Sequence, residues 1–189
     1  MKRYATVILA AMFVAIVSVT AFAQTSPSAN PPQTANQPPS TNPLSSELKQ
    51  MYTGVKNNHL KMAEKMPEEH YGFKPTADIR TFGQLVAHVA DSQARTCSAV
   101  SGEPKAINAA AKTTKADLVA ALKESFALCD KAFDSLTDAK AGEMVTMGQR
   151  QRSKLGALAG TVSHSNEEYG YMAVYLRLKG IVPPSSEGR

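Results

Sequence analysis

The chain contains no tryptophan, two cysteines and four histidines, and aromatic residues make up 6% of it. So few cysteines exclude a small scaffold built on disulfides, and no Cys-x-x-Cys pair is present for redox or zinc chemistry. There is no glycine-rich phosphate loop and no Gly-x-Ser-x-Gly elbow, so P-loop nucleotide binding and serine-hydrolase chemistry have no support. No dense Lys/Arg block occurs either. The most basic run, Gln149-Arg150-Gln151-Arg152-Ser153-Lys154, reads as a solvated loop ahead of a helix. A nucleic-acid partner, which needs a broader basic surface, is not expected. No internal repeat is visible, and no stretch makes a persuasive strand. Glu143–Met147 is at most a short extended piece.

What is present begins with a leader. Lys2 and Arg3 precede an apolar run, Thr6 to Val19, and Ala21-Phe22-Ala23 forms an A-x-A cleavage site. The run is short and leads directly into polar sequence, so residues 1–23 are expected to be a signal peptide cleaved after Ala23 rather than a stable membrane anchor. No cysteine follows the site to carry a lipid. The expected location is the bacterial periplasm or the exterior. Removing residues 1–23 takes away two positive charges and no negative ones, so the formal charge of +5 falls to +3. Residues 24–43 hold six of the eleven prolines among Ser, Thr, Asn, Gln and Ala. That composition buries too little apolar surface to offset ordering entropy, and it predicts a disordered linker. Residues 44–186 are then a comfortable size for one domain with one core.

Within that domain the apolar periodicity is helical. Ser45 or Ser46 can cap a first helix whose inner face carries Leu48, Met51, Val55 and Met62, with Asn58 on the same stripe. It should stop near Met66-Pro67. Thr81 can cap a second, with Leu85, His88, Ser92 and Ala99 on one seam and Phe82, Val86, Val89 and Val100 beside it; Gly102 and Pro104 end it. Thr113 or Thr114 opens a third, with Val119, Leu122, Phe126, Cys129, Phe133 and Leu136 inward. A polar, glycine-containing loop should span roughly 137–152. The fourth helix starts near Ser153 and closes at Gly180, ahead of Pro183-Pro184. These elements predict an all-α four-helix bundle.

Cys97 lies 16 residues after Thr81, and Cys129 lies 15 after Thr114. Equal depths suit a parallel second–third pair, and an oxidising compartment would then favour a Cys97–Cys129 disulfide; two buried thiols are the alternative.

The fourth helix carries the unusual chemistry. Ala157, Thr161, His164, Glu168, Tyr171, Tyr175 and Leu178 recur at spacings of four and three, on a stripe that would ordinarily be apolar. An imidazole and a carboxylate one turn apart on such a stripe need compensation, and a metal ion supplies it. His88 lies 13 residues before the end of the second helix at Ser101. His164 and Glu168 lie 11 and 15 after Ser153. If the two helices run antiparallel, all three converge. Asp91 is either an outer partner that orients an imidazole or a solvent-facing acid. Tyr171 and Tyr175 either line a pocket or simply pack. His59 and His70 share no stripe with a partner and read as surface residues.

At these residues the chain resembles the DinB-like family of bacterial four-helix-bundle metalloenzymes. The likeness spans residues 45–186. It is carried by Lys65-Met66-Pro67-Glu68-Glu69, by Phe73-Lys74-Pro75, by the run from Arg80-Thr81-Phe82-Gly83 through His88 to Asp91, and by Tyr175 through Pro183-Pro184-Ser185. The resemblance implies an up-down-down-up bundle and one divalent metal held by three histidines, one on the second helix and two spaced H-x-x-x-H on the fourth. His88 and His164 match the first two positions. Glu168 stands at the third, which lowers the net charge of the site by one and bears on whether the ion is zinc, nickel, manganese or iron. Relatives include thiol-dependent S-transferases and isomerases, which implies group transfer; a metal-activated water would instead serve hydrolysis. The alternative is a non-catalytic binding or stress-related bundle with a degenerate site. The implied ligand is a small molecule of unspecified class, and two-fold association into a homodimer is compatible with such a bundle.

Overall fold

Side-chain caps set where the helices begin. In the computed structural model, which describes residues 41–188, α1 spans Pro43–Lys65, α2 Phe82–Ser101, α3 Lys115–Ser135 and α4 Lys154–Leu178. The proposed leader and most of the linker lie outside the described residues. Thr81 and Gln84 form a reciprocal capping box at the start of α2. Thr114 accepts from the Asp117 amide, and Ser153 from that of Gly156. Each hydroxyl satisfies an amide that the helix itself cannot, worth about 1 kcal/mol. The first helix starts differently. Its N-cap is Asn42, and Asp138, beyond α3, accepts from the Leu44 and Ser45 amides and from Ser45 Oγ. At the far end of α4, Ile181 donates to the Leu176 carbonyl and Gly180 to that of Arg177, the double closure of a Schellman stop.

Contacts fix the helix directions. Along α1 and α3, Lys49 meets Asp134, Tyr52 meets Asp130, and Glu64 meets Lys123, so numbers rise on one helix as they fall on the other. Along α2 and α3, Gly83 lies against Leu118 and Cys97 bonds to Cys129, so both rise together. Arg80 meets Tyr175 and Gln93 meets Ser165, which makes α2 and α4 antiparallel. The bundle therefore runs up-down-down-up, with the parallel α2–α3 pair joined by the disulfide.

The core is built from Met62, Met66, Phe82, Leu122, Phe126, Phe133, Leu158, Met172 and Leu176, all with at most 2% of their surface exposed. Each such side chain contributes about 1.5–3 kcal/mol of transfer free energy. Tyr52 stacks on Phe133 at a centroid distance of 4.0 Å, and its one hydroxyl hydrogen is shared between the Phe126 carbonyl at 2.9 Å and Asp130 at 2.8 Å. Among the described residues no helix is long and apolar enough to cross a membrane.

Two expectations need correction. On α1 the buried face is Ser45, Leu48, Tyr52, Val55, His59 and Met62, whereas Met51 is 57% exposed. Position 51 or 52 fits equally between Leu48 and Val55 at 3.6 residues per turn. Tyr52 wins because its ring has Phe133 to stack on. The segment 137–152 is also not merely a loop: Met144–Met147 (β1) pairs antiparallel with Arg150–Ser153 (β2), closing with Met147 opposite Arg150. The two-residue turn has Gly148 at φ 63°, a sign that suits the twist of a tight hairpin. The middle of the basic run, Arg150–Ser153, is therefore a strand.

Candidate metal centre

Two adjacent stripes run along α4. Leu158, Val162, Ser165, Met172 and Leu176 face the core, while Thr161, His164, Glu168 and Tyr175 lie one position round the helix. The second stripe faces α2, where His88 occupies the flank beside buried Leu85 and Val89. Tyr171 and Leu178, which continue the second stripe by spacing, are 51% and 57% exposed. Tyr175 between them stays buried at 4% exposed.

The three predicted side chains come together. His88 Nε2 lies 3.1 Å from His164 Nε2, 3.4 Å from Glu168 Oε1, and the latter is 3.6 Å from His164 Nε2. One nitrogen or oxygen from each fits within 4.8 Å of the others. Just below, Gln93 Nε2 donates to Ser165 Oγ at 2.8 Å and ties α2 to α4. Both imidazoles are about one-third exposed, so solvent reaches the site. Glu168 is 5% exposed, and its Oε2 is buried without a hydrogen-bond partner.

That arrangement is chemically unsatisfied. Two Nε2 atoms at this distance bond only if one carries the hydrogen and the other is bare. A buried carboxylate oxygen without a donor costs about 1–3 kcal/mol or more. A divalent cation accommodates both: it takes lone pairs from two neutral imidazoles and offsets the carboxylate charge, and two His with one Glu is an established ligand set for zinc with an open position. The residues therefore fit the ion. Partial burial lowers the His88 pKa; Glu168 opposes this, while Arg80, His164 and Arg95 reinforce it. A neutral imidazole is the form that coordinates.

The model of the DinB superfamily matches residues 51–172. The chain belongs to the DinB superfamily. Two solved DinB-like structures share its fold: one from Bacillus cereus ATCC 10987 (TM-score 0.63, 18% identity, covering 74% of this chain and 95% of that one), and one from Bacillus subtilis (TM-score 0.61, 19% identity, 76% and 99%). No curated protein matches.

Other readings of this DinB-superfamily chain change. Asp91 neither orients an imidazole nor points freely to solvent: its two oxygens accept from the Ala109 and Ala110 amides at 2.7 and 3.0 Å, pinning the connection between α2 and α3. Tyr175 is buried and donates to the Arg80 carbonyl at 2.7 Å, whereas exposed Tyr171 donates to Glu167. Both border one hollow, so they line a pocket. The largest correction is His59, which is fully buried. Its Nδ1 lies 3.0 Å from the Val55 carbonyl and so carries the hydrogen, leaving Nε2 a bare lone pair with no partner. Burial pushes its pKa down to about 4, with the Val55 bond opposing and His164 reinforcing. The signal was available: 48, 52, 55, 59 and 62 alternate by four and three. Arg80 and Arg95 also neighbour the site, and Arg95 follows His88 by one heptad on α2.

Proposed function

We propose that this protein is an exported metalloprotein that binds one divalent ion through His88, His164 and Glu168 and uses an open coordination position for hydrolysis or group transfer. The single observation that carries the reading is the convergence of those three donors within 4.8 Å, with Glu168 Oε2 buried and unpartnered beside them. Family membership supports it. When bound, a divalent cation supplies Lewis acidity at the open position. The chain's own residues do the rest. Glu168 supplies a carboxylate at the inner wall, the partly exposed imidazoles leave the outer side open to a small molecule, and the Gln93–Ser165 bond keeps the two helices in register. Export is supported by the leader sequence and by the Cys97–Cys129 bond, which persists in oxidising compartments.

Metal content tests the proposal. After reconstitution with zinc, nickel, manganese or iron(II), elemental analysis of the folded protein should give one ion per chain. His88→Ala and Glu168→Ala should each lose it while remaining folded by circular dichroism. No stoichiometric metal under any of these conditions would leave the rival, a non-catalytic bundle with a decayed site.

A further inference from the structure

Two openings lie beside α2, and of the histidine–glutamate trio only His88 lines either of them. One, of about 800 Å³, runs along the outer face of α2 and has His88 in its wall with Arg80, Arg95 and Lys112. The other, of about 720 Å³, is walled mainly by Ile79, Leu85, Val174 and the rings of Tyr171 and Tyr175, and Arg80 borders both. Among the described residues, none of the three cations has an ion-pair partner. Three acids lie close by, Glu68 and Asp91 in the first wall and Asp78 in the second, while Glu168 Oε1 sits 3.4 Å from His88 Nε2. Asp91 is engaged by two backbone amides, which leaves Glu68 as the only other acid in that wall. The first amides of α2 are also occupied: Phe82, Gly83 and Gln84 donate to the Phe73 carbonyl, the Tyr71 carbonyl and Thr81 Oγ1. An anion in this groove must therefore be held by side chains. Arg80 stands just ahead of α2 and Arg95 on it, with His88 between them in the chain, and all three border the same opening. Meanwhile Ile79, Tyr171 and Val174 leave 41%, 51% and 52% of their surface uncovered at the adjoining hollow.

We infer that this face binds an amphiphilic organic anion, with a carboxylate head held between Arg80 and Arg95 over His88 and an apolar body lying against Ile79, Tyr171 and Val174. The planar forks of arginine match a carboxylate, and the adjacent apolar wall excludes a simple inorganic ion as the best fit. The inference rests on the proposed metal-centre reading only in making this anion the substrate; the binding surface itself needs no metal.

Octanoate is a suitable probe, titrated calorimetrically into the purified chain stripped of metal by a chelator, with butyrate and 1-octanol as comparators. Octanoate should bind at least tenfold more tightly than either. Arg80→Gln and Arg95→Gln should each weaken octanoate at least fivefold, and Val174→Ser should narrow the gap between octanoate and butyrate. Lys49→Gln, which breaks only an exposed pair with Asp134, should change nothing. Octanol binding as tightly as octanoate, or octanoate affinity indifferent to both arginine variants, would overturn the inference. Metal content is measured on the same preparations. Arginine-dependent octanoate binding without metal uptake sinks the metal-centre reading alone, and metal uptake with arginine-independent binding sinks this one alone.

Discussion

Acidification from pH 7 to pH 4 should destabilise this bundle by more than carboxylate protonation accounts for, because unfolding lets His59 take up a proton that the core refuses. The folded ring titrates at about 4 and an unfolded histidine near 6.5. Above pH 6.5 neither state is protonated and the full stability is present. Between 6.5 and 4 the unfolded chain binds more protons than the folded one, so stability falls as pH falls. At roughly 1.4 kcal/mol per pH unit, the interval corresponds to about 3 kcal/mol, reached near pH 4. His59→Phe isolates the effect. It keeps a ring against Phe126 and Tyr169 and removes the bare Nε2. The Val55 carbonyl keeps its helical partner. Urea denaturation followed by circular dichroism at pH 7, 6, 5 and 4 should show the two proteins diverging as pH falls, with the variant at least as stable at pH 7. Parallel pH profiles would refute the reasoning, since His88 and the carboxylates titrate in both.

Three further outcomes are expected. Reducing the Cys97–Cys129 bond, which joins positions 32 apart, should cost about 3–4 kcal/mol in denaturant titrations run with and without reductant, and unreduced denatured protein should show no free thiol. Gly83→Ala should lower stability by about 1–2 kcal/mol, measured by thermal melting, because a Cβ there meets Leu118 Cδ1, Tyr71 Cδ1 and the Tyr71 carbonyl oxygen, each at 3.3 Å. Glu168→Gln should move two readouts in opposite directions: the metal-free protein melts higher once a buried charge is gone, while zinc affinity in a competition assay falls by more than the roughly 10–100-fold typical of changing an outer-shell partner.

Much of the bundle is legible from local chemistry. Thr81, Thr114, Ser153 and Gly180 mark helix ends through hydrogen bonds made within a few residues, so the boundaries need no tertiary information. The matching depths of Cys97 and Cys129 suffice to anticipate the parallel pair. The phase of α1 is different, because only the partner ring of Phe133 decides between Met51 and Tyr52. His59 followed that phase into the core. The hairpin was hidden for a related reason: β2 reads Arg150-Gln151-Arg152-Ser153, with no buried face to impose alternation. At the candidate site, helical spacing brought His164 and Glu168 to one side of α4 and depth matched His88 to them. The fate of Asp91 depended on where the α2–α3 connection folds back, which no spacing encodes.

That connection has one more property. Exposed residues 101–106 lie inside the ring closed by Cys97 and Cys129. A protease that nicks the backbone there would release no fragment, because the two pieces stay covalently continuous through sulfur while their helices remain docked. The cut molecule would run as one species without reductant, differ in mass by a single added water, and come apart only when scission and reduction coincide.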